Sequence, residues 1–135
     1  MIFIIIVLLL RVCYTDVRNR IIENKCVIAI FLVNLLCFII NRQLPYFLSA
    51  LIVFFVGVIC VLTHCVGAGD AKLLAVLGMT FPLRELPDFI FLVAVSGLPL
   101  ILITYCVHWL SNKKFSKTLP YGVAITSGYL LKILI

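Results

Sequence analysis

The sequence predicts an all-α integral membrane protein with about six transmembrane helices and both termini outside the cytoplasm. Three observations lead there. Hydrophobic residues make up 65% of the 135 residues and charged residues only 12%, with a mean hydropathy of +1.31, so the chain lacks the charge to solvate a globular surface. Short polar, glycine- or proline-bearing connections cut the apolar runs at intervals. The cations also divide unevenly between alternate connections, as topology signals do. Crossing a hydrocarbon core of about 30 Å takes about 20 apolar residues, which leaves no length for a soluble domain, and residues 1–135 read as one transmembrane domain.

The segments fall at about 1–17, 24–40, 45–65, 70–81, 88–110 and 121–135. Met1 to Leu10 resembles a signal-peptide core but lacks a basic start and a small-residue cleavage site, so it reads as a retained first helix. Cys13 follows Leu10-Arg11-Val12, without the small residue that precedes a lipidated cysteine. Arg11 either snorkels toward the cytoplasmic interface or pairs with an acid. Gly57 fits close packing in the third helix, and Gly97 with Pro99 predicts a kink in the fifth. Tyr105, His108 and Trp109 gather at a helix end, where an interfacial aromatic belt belongs. The six cysteines, Cys13, Cys26, Cys37, Cys60, Cys65 and Cys106, show no C-x-x-C spacing and read as small buried hydrophobes. His64 has no second histidine at ligand spacing, so neither a metal site nor a cofactor is predicted.

The connections 16–25, 66–72 and 111–120 carry Arg18, Arg20, Lys25, Lys72, Lys113, Lys114 and Lys117. The opposite connections carry Arg42 and Arg84, with Lys132 near the C-terminus. The positive-inside rule therefore places the first set in the cytoplasm. The net charge of +6 is a topology signal with attraction to anionic lipid, and no nucleic-acid partner is expected.

Two acids then stand out. Asp70 ends the glycine-rich turn Gly67-Ala68-Gly69 between two apolar stretches, and Asp16 ends the first one; an ionisable side chain in such a place is costly and marks a functional site. The first and fourth segments cover roughly 22 and 18 Å at 1.5 Å per residue, short of about 30 Å. Both carboxylates are thus expected at similar depth below the cytoplasmic surface, beside a water-filled cleft. Two neighbouring carboxylates divide the work of peptide hydrolysis, because like charges a few ångströms apart resist double ionisation. The ionised one deprotonates water and the protonated one hydrogen-bonds the scissile carbonyl. Gly67 and Gly69 are expected to permit positive φ and to let an extended backbone approach Asp70. Lys72 cannot share the helical face of Asp70, which leaves a structural, lipid-facing or tuning role.

The block Gly67-Ala68-Gly69-Asp70-Ala71-Lys72-Leu73-Leu74-Ala75 resembles the G-x-G-D-x-K-L-(L)-A signature of type IV prepilin leader peptidases. Asp16 to Asn24 is similar to that family's first aspartate block, in which a basic stretch and I-P-N follow the acid, and Pro120-Tyr121-Gly122-Val123-Ala124-Ile125 resembles its third signature. The resemblance implies Asp16 and Asp70 as the catalytic pair, with Gly67, Gly69, Lys72, Asn24, Pro120 and Gly122 binding substrate or supporting the site. It implies a membrane aspartyl endopeptidase of the bacterial cytoplasmic (inner) membrane, multi-pass, that removes the short basic leader of a prepilin or pseudopilin. Glu23 departs from the family proline. The amino-terminal region with paired C-x-x-C motifs, associated in long members with zinc and methylation, has no counterpart here, so the chain is similar to the short form of Flp/Tad-type pilus systems. Glu23 and the acidic pair are expected to attract the basic leader. Partners are then the prepilin, membrane lipid and, left open, a second copy in a homo-oligomer. The rival readings are a small transporter or channel subunit whose acids relay protons or bind cations, and a structural assembly factor whose acids neutralise Arg18, Arg20 or Lys72.

Overall fold

A computed structural model describes residues 2–111 and 119–135. Among them are six helices and no strand: α1 (Ile2–Asn19), α2 (Asn24–Ile40), α3 (Phe47–Leu62), α4 (Ala68–Gly78), α5 (Leu86–Ser111) and α6 (Tyr121–Leu134). Lys113, Lys114 and Lys117 lie outside the described residues. Boundaries shift from expectation at two informative places. α4 begins at Ala68, so Ala68 and Gly69 are helical instead of forming an irregular turn. It stops at Gly78, four residues before Pro82, where the Thr80 hydroxyl and N–H both bond the Leu77 carbonyl, at 2.6 and 3.1 Å, and Pro82 bars helical backbone just before it.

α1, α2, α4 and α6 form the middle of the bundle, each touching two or more of the others, while α3 packs on α4 and α5 on α6. The core reads off helical spacing. In α1 the buried stripe is Ile5, Leu9, Val12, Thr15 and Asp16, and in α2 it is Cys26, Val27, Ile30, Asn34 and Phe38. At one end of the bundle Phe81, Phe89 and Tyr129 stack edge-on or tilted, with ring centroids 5.1 to 6.2 Å apart.

Glycine lets two helix pairs approach closely. A Cβ on Gly57 would lie 2.9 Å from Ala71 Cβ across the α3–α4 seam, and one on Gly128 would lie 2.7 Å from Val93 Cα across the α5–α6 seam. The α5–α6 register is further set by Ser96 Oγ donating to the Ala124 carbonyl at 2.7 Å, and by Lys132 Nζ, 3.4 Å from Glu85 and 3.6 Å from Asp88. In this antiparallel register the start of α6, at Tyr121, lies about level with Pro99 of α5. α5 continues through Pro99 to Ser111, so about three turns, roughly 18 Å, run on beyond the start of α6. None of its residues after Gly97 is buried.

Much of the exterior is apolar: Phe3, Leu44, Phe55, Phe91, Leu102 and Trp109 are among many large hydrophobic residues left exposed. α5 alone is both long and apolar enough to cross a membrane, and α2, α3 and α6 are shorter apolar helices. The six expected spans are thus six helices of unequal length. α1 reaches 18 residues but carries Arg11, Asp16 and Arg18, and α4 has only 11 residues. The cysteine expectation also needs correction. Cys26 is buried, but Cys65 and Cys106 are exposed, because apolar positions in this bundle face outward as often as inward.

Candidate active site

Asp16 is only 4% exposed because it continues the core stripe of α1, one turn beyond Val12. The helix closes just after it in a left-handed C-terminal motif. Arg20, at φ 53°, donates its N–H to the Asp16 carbonyl at 2.8 Å. The side-chain oxygen Oδ2 accepts the Gly122 N–H at 2.7 Å. Pro120 caps α6, and the opening N–H groups of a helix have no carbonyl one full turn behind them to bond, so the Asp16 carboxylate occupies a helix N-terminus that favours negative charge. One turn farther along both helices Cys13 Sγ and Thr126 Oγ1 lie 2.8 Å apart, a second polar contact in the α1–α6 seam.

Asp70 is placed by its own helix. Gly67 is the N-cap of α4, and Asp70, three residues on, accepts the Gly67 N–H, which is the reach-back half of a capping box. Gly67 has φ −72° and ψ 147°, and no described glycine has positive φ, so the expected use of glycine for left-handed backbone is not what the fold requires. Close approach is. A Cβ on Gly67 would lie 3.0 Å from Asp70 Oδ2, and one on Gly69 would lie 3.0 Å from Ile22 Cβ. The space at both glycines is filled by the carboxylate and by the α1–α2 connection.

The two acids line one cleft of about 450 Å³, with Arg20, Ile21, Ile22, His64, Gly67, Gly69 and Tyr121 among its walls. They lie close enough for the charge of Asp16 to act on Asp70, and Arg20 is the cation that acts on Asp16. His64, at φ 58°, closes α3 as Arg20 closes α1: its N–H bonds Val61 and the Cys65 N–H bonds Cys60, at 3.0 and 2.9 Å. A non-glycine residue in this region is uncommon and marks a place fixed by its surroundings. Arg20 and His64 hold this conformation at the cleft, and Arg42, at φ 52°, holds it after α2, away from the cleft. By sequence Arg20 reads as a topology signal and His64 as an isolated histidine, and the only signal for either would be a helix-end motif.

Lys72 and Asn24 stand outside the cleft wall. Lys72 Nζ donates to Asn24 Oδ1 at 3.4 Å in an exposed contact that ties α4 to the start of α2. Glu23 is the N-cap of α2 at φ −66°, a value that proline also adopts, so the departure from proline leaves the turn's geometry intact. Arg11 is exposed, with its helix neighbours Leu10 and Tyr14.

The chain matches the type IV leader peptidase family over residues 3–102. It belongs to that family. The match covers α1 to α4 and about two thirds of α5, and therefore both aspartates, while α6 with Gly122 lies beyond it. No curated protein and no solved structure matches the chain. Membership makes this a type IV leader peptidase-like protease, and members of the family are typically membrane-associated. Two acids on one cleft, each held by a backbone N–H at a helix N-terminus, can hold a water between them and shift a proton from one carboxyl to the other.

Proposed function

We propose that the protein is a membrane aspartyl endopeptidase that removes the short basic leader of Flp-type type IV prepilins or pseudopilins, with Asp16 and Asp70 as the catalytic pair. The observation that carries this is the meeting of Asp16, from α1, and Asp70, from α4, on one cleft of about 450 Å³ in a chain of the leader peptidase family. One carboxyl, ionised, takes a proton from the cleft water as its oxygen attacks the scissile carbonyl. The other, protonated, donates to the carbonyl oxygen, and the tetrahedral intermediate collapses when the leaving amine is protonated.

The proposed setting is the bacterial cytoplasmic membrane, with the cleft facing the cytoplasm, both termini outside and the whole of 1–135 acting as one peptidase unit. Two things support it. The apolar exterior suits hydrocarbon better than water, and the cleft end of the bundle carries Arg18, Arg20, Lys25 and Lys72, as a cytoplasmic face does. At the other end Lys132 is already balanced by Glu85 and Asp88. At the cleft end a basic leader would meet Glu23 and the acidic pair, while Gly67-Ala68-Gly69-Asp70 and the connection 20–23 form the walls for an extended junction.

The test is co-expression with a candidate prepilin and a gel-mobility assay for leader removal in membranes. Asp16→Asn and Asp70→Asn should each abolish cleavage while inserting normally. Cleavage by either single variant at the wild-type rate would remove the dyad assignment, and proton or ion flux in vesicles without cleavage would favour a carrier.

A further inference from the structure

We propose that Gly122 is the positioning residue of Asp16, acting through its backbone N–H and through the absence of a side chain; this rests on the aspartyl-peptidase reading above. The chain holds Asp16 Oδ2 with one amide, 2.7 Å away, from a residue 106 positions along the sequence. A carboxylate on a helix can swing about χ1 and χ2, and fixing Oδ2 to the first turn of α6 removes that freedom in a residue that lines the cleft. The same closeness forbids any Cβ. One built on Gly122 would stand 2.6 Å from Oδ2, 3.0 Å from Cγ and 3.2 Å from Cβ of Asp16, so an alanine would push away the carboxylate that the amide is meant to hold. The side-chain space of Gly122 points at the Asp16 side chain. Its effect therefore falls on the chemical step instead of on leader binding.

The seam around it behaves as a unit. Cys13 and Asp16 on α1 meet Thr126 and Gly122 on α6, one turn apart on each helix, so α6 cannot slide along α1 without breaking both contacts. The fold thus uses a third helix to aim an acid that belongs to the first, and the catalytic pair is a three-helix construction: α1 and α4 supply the acids, and α6 supplies the aim.

The experiment compares leader removal by wild type, Asp16→Asn, Gly122→Ala and Gly128→Ala in nanodiscs, with a backbone ester at position 122, in which glycolic acid replaces Gly122, as the fifth protein. A hydrogen bond to a charged group is worth enough to change a rate by about 10- to 100-fold. Gly122→Ala should lose at least that much of kcat while KM stays within about twofold. The ester removes the N–H and adds no atom, and should lose about 10-fold in kcat with KM kept. Gly128→Ala meets Val93 backbone and does not touch Asp16, so it should lower the melting temperature and leave kcat per folded molecule unchanged. Wild-type kcat in the ester or in folded Gly122→Ala overturns the proposal, as does an equal kcat loss in folded Gly128→Ala. If Gly122→Ala does not fold, the ester decides alone. Failure of wild type to cleave, or cleavage by Asp16→Asn, would strike the underlying peptidase reading instead, and is distinguishable for that reason.

Discussion

Replacing Gly57 by alanine drives a methyl group between α3 and α4 at the residue next to Asp70. Its Cβ would lie 2.9 Å from Ala71 Cβ and 3.4 Å from Ala71 Cα, where ordinary contact is 3.4 to 4 Å. Neither partner can rotate away, so the helices must separate. Overpacking of this kind costs about 1 to 3 kcal/mol, and alanine's better helix propensity returns about 1 kcal/mol, for a net loss of about 1 kcal/mol. Ala71→Gly loses helix propensity and a buried methyl, about 2 kcal/mol together. In the double variant Gly57→Ala/Ala71→Gly the helix terms cancel and a single Cβ again separates the backbones, so stability should return to near wild type. That is a coupling of about 3 kcal/mol, or roughly 10 °C in melting temperature for a chain of this size. Thermal unfolding of the detergent-solubilised protein, followed by tryptophan fluorescence, reads it. The same displacement carries Asp70, so leader removal per folded molecule should fall in Gly57→Ala and recover in the double variant. Additive losses in the double variant would refute the close-approach argument.

Asn34 is 1% exposed; its Nδ2 donates to the Val76 carbonyl at 3.3 Å while its Oδ1 has no partner. Asn34→Leu relieves one unpaired group and creates another, each worth about 1 to 3 kcal/mol, and should change stability by no more than about 1 kcal/mol; Asn34→Asp buries a charge and should lose more than about 3 kcal/mol, both read by the same melting curves. Trp109 is the one tryptophan of the chain and is 77% exposed near the end of α5. In bilayers its fluorescence should be quenched most by lipids brominated close to the headgroup, and equal insensitivity to bromine at every depth would count against an interfacial α5 end.

Helix number and order were legible because apolar runs and polar breaks are one-dimensional signals. The second helix falls on residues 24–40 in both readings. Asp16 and Asp70 stand out in the sequence because acids bordering apolar runs are rare and costly, and the fold brings both to one cleft. Their supports were harder. Gly122 belonged to a family-like block, but its contact with Asp16 spans 106 positions, and no local pattern encodes a long-range amide. Lys72 and Asn24 were chosen from the same kind of block, and they meet each other outside the cleft instead of facing it. The glycines at 67 and 69 read from sequence as sites of positive φ and of close approach by an extended substrate backbone; the described glycines have no positive φ, and the close neighbours at these two are Asp70 and Ile22. Arg20 and His64 were read by charge and by ligand spacing, while their place at the cleft comes from helix ends that close in left-handed geometry.

The far end of α4 bears on which parts can move. Its last carbonyls are all engaged: Val76 by Asn34 of α2, Leu77 by Thr80, Gly78 by the Phe81 N–H and Met79 by the Tyr46 N–H from the α2–α3 connection. An axial slide of one residue, about 1.5 Å, would break the contacts to α2 and to Tyr46 together. α4 is therefore a strut braced from behind, and Asp70 is its fixed tip. Whatever opening admits a substrate must come from the chain around that tip, the connection at Ile21 and Ile22 and the α1–α6 pair moving as one unit with its seam contacts intact, so that of the two acids Asp16 travels with the jaw and Asp70 stays on the anvil.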